Sequence, residues 1–192
     1  MSEHDTLTPQ QILRKKAQGE PIGPGERAHR HRHIIAVLLE NSIGALNRVI
    51  NLFSARGFNL ESVTVGETDE PSVSRMTIVT TGEGRIIAQV NRQLDRLVDI
   101  LEVVDLTSEE YVERELCLLK VTYNSDNRVE LLDTLKIFNG KVVDITTDTM
   151  TFELAGPTKK INAFIGMMKR YGIEEIARSG RVAMKRALLF GD

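Results

Sequence analysis

The sequence predicts an α+β fold made of two consecutive β-α-β-β-α-β units. Three observations predict it. Runs with strand-like alternation take turns with runs whose apolar residues recur at three- and four-residue steps. The six-element order is complete before residue 108 and starts again after it. Glycine and proline punctuate the joins, at Gly57, Pro71, Gly140 and Pro157. A split β-α-β with two hairpins is the ferredoxin-like arrangement, in which four antiparallel strands carry two helices on one face.

Each element has its own signal. "HRHIIAVLLE" is rich in β-branched and aliphatic residues and reads as a strand. Ile43, Leu46, Val49, Ile50 and Phe53 then make the apolar stripe of a helix that Gly57 ends. "NLESVTVGET" is a second strand, "TDEPS" a turn, and "VSRMTIVTT" a third strand. In that third strand Val73, Arg75, Thr77 and Val79 share one face, and Met76 and Ile78 the other. "GEGRIIAQVNRQLDRLV" is a helix with the stripe Ile86, Ile87, Val90, Leu94, Leu97 and Val98, and "ILEVVDLT" is a fourth strand. After the acidic join "SEEYVER" the order restarts with the strand "ELCLLKVTY". "DNRVELLDTLKIF" is a helix with Val129, Leu132, Leu135 and Phe138, closed by Gly140. "KVVDITTD" and "TMTFELAG" form a hairpin. "PTKKINAFIGMMKRYG" is a helix with Pro157 in its first turn, and "IEEIARSG" is a last short strand.

The expected organisation is an extension over residues 1–31, a first unit over 32–107, a second over 108–186 and a tail over 187–192. Within the extension, "TPQQILRKKAQ" can form a short helix after Pro9, and "GEPIGPGER" breaks regular structure. A mobile arm and a docking arm are both open readings.

Composition excludes several functions. The chain has 192 residues, 41% of them hydrophobic, which suffices for a core. Its 25 basic and 27 acidic residues give a net charge of −2, so no electrostatic case exists for nucleic acid or an anionic membrane. No apolar run approaches the roughly 20 residues of a membrane span. The polar N-terminus does not read as a signal peptide. One cysteine, Cys117, cannot form an internal disulfide. The expectation is a soluble cytoplasmic protein.

The first strand is apolar on both faces, from Ile34 to Leu39, whereas a half-buried strand alternates. The sheet is therefore expected to be covered by a neighbouring domain or subunit. Oligomerisation is the favoured form of that expectation.

A search for catalytic chemistry finds little. His4, His29, His31 and His33 are the only histidines. Three lie in "HRHRH", but arginines interleave them and no thiolate or carboxylate ligand is adjacent, so a solvated basic lead-in outweighs a metal site. Cys117 sits mid-strand among leucines as a small hydrophobe. With no histidine in the second half, no Cys-His nucleophile forms there. "GEG" at Gly82–Gly84 lacks the lysine and hydroxyl of a phosphate loop. Neither an acid/base pair nor a metal set is expected, and no catalytic residue is assigned.

What remains is the strand-turn-helix from Asn41 to Leu46. A helix start leaves N–H groups unpaired and carries partial positive charge, so it receives carboxylates. Gly44 lets a ligand approach the backbone, and an asparagine amide can meet an ammonium through its oxygen. Together these groups describe a site for a free α-amino acid. The plain alternative is that Asn41 or Ser42 caps the helix and Gly44 is merely tolerated.

The run "VLLENSIGALNRVINLFSARGFNLESVTVGETDEPSVSRMTIVT" closely resembles the N-terminal ACT domain of the small, regulatory subunits of acetolactate synthase (acetohydroxyacid synthase). "VERELCLLKV", "FNGKVVDIT" and "ELAGPTKKINAFIGMMKRYGIEEIARSGRVAMKR" resemble the second half of the same family. The resemblance runs in order from Arg32 to Arg186, and the segment before Arg32 departs from typical short bacterial members. It implies ACT units paired side by side into an eight-stranded sheet, as a homodimer or higher homo-oligomer, with valine or another branched-chain amino acid at their interface. By motif match, Asn41, Ser42, Ile43, Gly44, Ala45 and Leu46 belong to that ligand site, and Asn59 reaches it from the paired subunit. It further implies a chain without cofactor or catalysis of its own. Its partner would be a large subunit carrying thiamine diphosphate, Mg and FAD, which it activates and makes sensitive to feedback inhibition. That enzyme condenses two pyruvates, or pyruvate and 2-oxobutyrate, at the opening of branched-chain amino-acid synthesis.

Three rivals stand against this expectation. A free-standing ACT-type sensor would lack the matching second half. A small enzyme would need the missing acid/base groups. An RNA-binding module would need exposed sheet aromatics, and aromatics are 5% of the chain.

Overall fold

The computed structural model describes residues 31–82 and 84–187, together with residues 14 and 15. The readings made for the rest of 1–30 and for 188–192, including His4 and His29, fall outside the described residues. Of the segment expected to be helical after Pro9, Arg14 and Lys15 are described, and both are helical.

Two four-stranded antiparallel sheets follow one another. The first contains β1 (His31–Glu40), β2 (Leu60–Glu67), β3 (Val73–Gly82) and β4 (Ile100–Asp105), ordered β2-β3-β1-β4, with helices α1 (Ala45–Ala55) and α2 (Gly84–Leu94). The second contains β5 (Tyr111–Thr122), β6 (Lys141–Ile145), β7 (Thr149–Gly156) and β8 (Ile173–Lys185), ordered β6-β7-β5-β8, with α3 (Arg128–Ile137) and α4 (Thr158–Met168). Both units are thus ferredoxin-like, in the expected order.

Each unit has its own core between helices and sheet. Ile35, Val37 and Leu39 of β1 and Met76 and Ile78 of β3 pack on Val49, Phe53, Ile87, Val90 and Leu94. Cys117, Leu119 and Val121 of β5 pack with Phe152, Leu131, Ile161 and Phe164 in the second unit. The stripes differ from expectation at their ends. Ile43, Val98 and Val129 are among the most exposed apolar residues, and Leu46 and Ile86 also face outward. Ile43 and Val98 lie outside the helices, before α1 and after α2, so helical period does not govern where they point. Val129 stands in the first turn of α3, whose buried residues are Leu131, Thr134 and Leu135.

The double-sided burial of β1 has an internal cause. The face of the first sheet away from its helices carries Ile34, Ala36 and Val79, which pack with Leu106 of the turn after β4 and with Ala183 of β8. Three hydrogen bonds fasten the strands across this seam. Thr64 Oγ1 donates to Arg181 O at 2.6 Å, Arg181 N–H donates to Ser62 Oγ at 3.1 Å, and Ala183 N–H donates to Thr77 Oγ1 at 3.3 Å. Of the two expected covers, neighbouring domain or subunit, the chain supplies the first itself. The greasy β1 therefore gives no support to oligomerisation.

Candidate functional site

The β1-α1 turn is built by three departures from regular structure. Asn41 ends the strand, and its N–H donates to Ser72 O at 2.7 Å. Gly44 adopts φ 87°, a left-handed conformation that side chains resist, and stands as the residue before α1. Ala45 then enters the core, while Leu46 turns outward. α1 starts without a side-chain cap and without an acidic residue in its first turn.

The plain alternative for Asn41 and Ser42 fails on their partners. The Asn41 amide donates to Glu67 Oε1 at 3.2 Å and to Pro71 O at 3.1 Å, so it ties the strand end to the β2-β3 turn. The Ser42 hydroxyl donates to Asp99 Oδ1 at 3.4 Å. Neither caps α1. Among the described residues, the N–H groups of Ser42, Ile43 and Gly44 have no hydrogen-bond acceptor. Asn41 spends its NH2 on the chain and keeps its carbonyl oxygen, an acceptor, toward incoming donors.

The internal repeat supplies a control. The corresponding turn, between β5 and α3, closes on itself. Asn124 Oδ1 accepts from the N–H groups of Asp126 and Asn127, and Asn127 Oδ1 accepts from Asn124 N–H at 2.8 Å. The second unit thus satisfies the N–H groups of Asn124, Asp126 and Asn127 with side chains of its own turn, which the first unit does not do for Ser42 and Gly44. α4 is closed too, since Thr158 N–H donates to Glu113 Oε1 and its hydroxyl to Glu115 Oε2.

Beside the open turn lies a hollow of about 360 Å³ lined by Glu40, Asn41, Ser42, Ser72, Val73 and Leu101. Ile43 stands next to it fully exposed, at 102%. Two residues that sequence reasoning missed, Arg48 and Asp99, brace the turn itself, Asp99 through the Ser42 hydroxyl. Asp99, 6% exposed, accepts from Arg48 Nη2 at 2.6 Å and from Arg48 Nε, and its carbonyl accepts from Glu40 N–H. The Arg48 hydrogen bonds hold the Asp99 carboxyl below its ordinary range. Arg48 also limits Gly44, because a Cβ there would sit 3.2 Å from Arg48 Nη1. No sequence signal links positions 48 and 99, which are joined only when β4 pairs with β1.

Asn59 is not brought to this turn. It lies exposed at the opposite end of α1, just before β2, and its carbonyl accepts from Thr80 Oγ1 at 2.9 Å. Eleven helical residues, roughly 16 Å of rise, separate the two asparagines. No group of three or more His, Cys, Asp or Glu able to hold a metal occurs among the described residues, and no described helix is long and apolar enough to cross a membrane.

Two ferredoxin-like units in tandem, the first opening its first helix on an uncapped glycine turn, define an α+β protein of the ACT type. Residues 35–102 match the AHAS small subunit-like ACT domain, and residues 114–187 match the small subunit of acetolactate synthase. The chain is 47% identical to the acetolactate synthase small subunit of Aquifex aeolicus, over 90% of this chain and 93% of that one. It is 45% identical to the isozyme 3 small subunit of Escherichia coli, over 81% and 96%. The crystal structure of the small subunit from Thermotoga maritima superposes with a TM-score of 0.75 at 37% identity, covering 83% of this chain and 99% of that one. The chain belongs to the acetolactate synthase small subunit family.

Proposed function

We propose that this chain is the regulatory subunit of an acetolactate synthase and that its open turn binds valine, or a close branched-chain relative, as a feedback inhibitor. The bound carboxylate takes the free N–H groups of Ser42, Ile43 and Gly44 at the positive end of α1. The ammonium meets the Asn41 carbonyl oxygen, with Glu67 nearby. The aliphatic side chain packs against Ile43, which otherwise stands in water at a cost. Asn59 comes from a second ACT unit in a homodimer, because one chain keeps it a helix length away. The single observation that carries this reading is the contrast between the open turn before α1 and the self-closed turn before α3.

The chain carries no chemistry itself. Its partner is the cytoplasmic large subunit, which holds thiamine diphosphate, Mg and FAD and condenses 2-oxo acids. Regulation requires the ligand to bind the inhibited and active arrangements unequally. By linkage, the bound large subunit must then change valine affinity in return. The match of the second half to the same family, and not only of the ACT half, favours this partner over a free-standing sensor.

Calorimetric titration with valine, leucine and isoleucine, alongside inhibition of the reconstituted enzyme, tests the reading. Asn41→Ala and Asn59→Ala are each expected to weaken binding by about tenfold or more while activation of the large subunit persists. Gly44→Asp is a poorer probe, since strain at φ 87° and contact with Arg48 accompany the added charge. Unchanged valine affinity in both asparagine variants would refute the site.

A further inference from the structure

The turn before α1 owns two side chains that could close it, and neither does. In the second unit Asn124 stands four residues before α3, and its Oδ1 accepts from the N–H groups two and three residues on. Asn41 stands four residues before α1, and Ser42 three. A serine hydroxyl closes a turn in the same manner, more weakly, by accepting from the N–H two residues on, which here is that of Gly44. Both side chains are drawn off instead. The Asn41 amide is held by Glu67 Oε1 and Pro71 O, and the Ser42 hydroxyl is turned to Asp99 Oδ1. Among the described residues the Gly44 N–H is left without an acceptor.

The group that draws Ser42 off is itself firmly held. Asp99 lies in the join between α2 and β4 and is 6% exposed. Arg48, one turn into α1, donates to both of its carboxylate oxygens, from Nη2 at 2.6 Å and from Nε. Glu40 N–H fixes the backbone of Asp99 from the end of β1, donating to its carbonyl at 2.8 Å. A carboxylate only accepts, so the Ser42 hydroxyl must donate to it, and its oxygen is kept at Asp99. A carboxylate left free beside the positive end of a helix would take the open N–H groups for itself. The guanidinium occupies both oxygens and prevents this.

We propose that Arg48 and Asp99 are positioning residues of the ligand turn, which hold the Ser42 hydroxyl and the Asp99 carboxylate off the Gly44 N–H and so leave that donor to the ligand carboxylate. The inference rests on the reading of this turn as the amino-acid site. A turn that closes on itself in the free chain must reopen before it binds, and apparent affinity falls by the open fraction. The pair removes that loss. Neither residue has to touch the ligand.

The test is a mutant cycle on the full chain, with circular dichroism to establish folding. Asp99→Ala releases Ser42, and Ser42→Ala then removes the competitor. Adding Ser42→Ala to Asp99→Ala should regain about fivefold in calorimetric valine affinity, the ratio that one hydrogen bond of ordinary net strength supports. The same change in the parent chain should give no such gain. A merely structural loss at Asp99 would not be repaired by deleting a second side chain. Amide exchange of Gly44 in the ligand-free chain gives a readout that needs no valine. It should be fast in the parent, slower by about fivefold in Asp99→Ala, and fast again in the double variant. Asp99→Asn leaves one oxygen for Arg48 and Ser42 to share. It should show the same pattern at smaller size, and it serves if the alanine chain does not fold. No regain of affinity on adding Ser42→Ala, while the parent binds valine, overturns the proposal and leaves the site reading intact. Equally fast Gly44 exchange in parent and Asp99 variants overturns it as well. The expected exchange pattern in a parent chain that binds no valine would uphold the device and refute the amino-acid site.

Discussion

Two glycines hold left-handed backbone for different ends. Gly44 frees the start of α1, whereas Gly180, at φ 81°, lets β8 lie against β2. A Cβ at 180 would collide with Ser62 Oγ and meet Thr64 Cγ2 at 3.0 Å, and Ser62 also holds the Arg181 N–H. Gly180→Ala is expected to destabilise by about 2 kcal/mol, from backbone strain and loss of that seam. That corresponds to roughly 4–8 °C in Tm for a chain of this size. Gly66→Ala is the control, since a Cβ there meets nothing within 4 Å. Equal melting temperatures for the two variants would remove Gly180 from this role. Neither glycine's part was legible in full. The residues around Gly44 announced a helix start, so the turn could be read. Gly180 sat in "ARSG", read as a strand end, because its partner Ser62 lies more than a hundred residues away.

At the level of elements, existence and order were legible and ends were not. Strand alternation and helical stripes located the eight strands and four helices of the two described units. Yet β5 begins at Tyr111 and β8 runs to Lys185, so the ribbon Tyr111–Glu115 with Arg181–Lys185 was missed. Its residues are rich in charge and read as a join. Their charges are used across the ribbon instead, with Glu113 near Arg181, Glu109 near Lys185 and Glu115 held by Arg178. Glu113 Oε2 stands 3.3 Å from Arg181 Nη1 as an ion pair, although without hydrogen-bond alignment. Glu115 is the best-satisfied of the three. Burial raises its pKa, but bidentate hydrogen bonds from Arg178, the Thr158 hydroxyl and the charges of Arg178 and Arg181 outweigh it, leaving the carboxyl below its ordinary range. A depressed carboxylate stabilises the fold above its unfolded pKa of about 4.3, and that contribution fades as pH falls through the folded value. Glu115→Gln should therefore cost about 1–3 kcal/mol at pH 7, kept modest because Arg178 is a third exposed. The gap from the parent chain should narrow below about pH 4. Urea midpoints at pH 7, 5, 4 and 3 measure it, and a constant gap across that series contradicts the assignment.

At the scale of the molecule, the repeat is asymmetric, and this asymmetry could not be read from period or propensity. Each half has the same six elements and its own helix-side core, so either could be taken for an independent unit. Sequence did expose one sign of dependence, a β1 apolar on both faces, but not what covers it. The cover is shared between Leu106, from the turn after β4, and β8, the last described strand, laid across the first sheet. The first unit should then be incomplete by itself. A fragment of residues 31–107 would keep Leu106 but lose β8 from over Ile34, Ala36 and Val79, which in the whole chain are 3%, 3% and 1% exposed, and would leave Thr77 without its partner at Ala183. Such a fragment is expected to bind an apolar dye and to self-associate, whereas the full chain should bind little dye at this seam. Replacing Ile34 and Val79 by threonine keeps β-branched shape, removes most of the exposed grease, and should lower dye binding several-fold in the fragment. The same pair of changes in the full chain should instead destabilise it, because two hydroxyls then enter the seam with Leu106 and Ala183. Opposite signs in the two contexts are what a covered face predicts. A fragment that stays monomeric and dark to the dye would mean that the first sheet tolerates water on both faces, and that the contact with β8 is incidental to its stability.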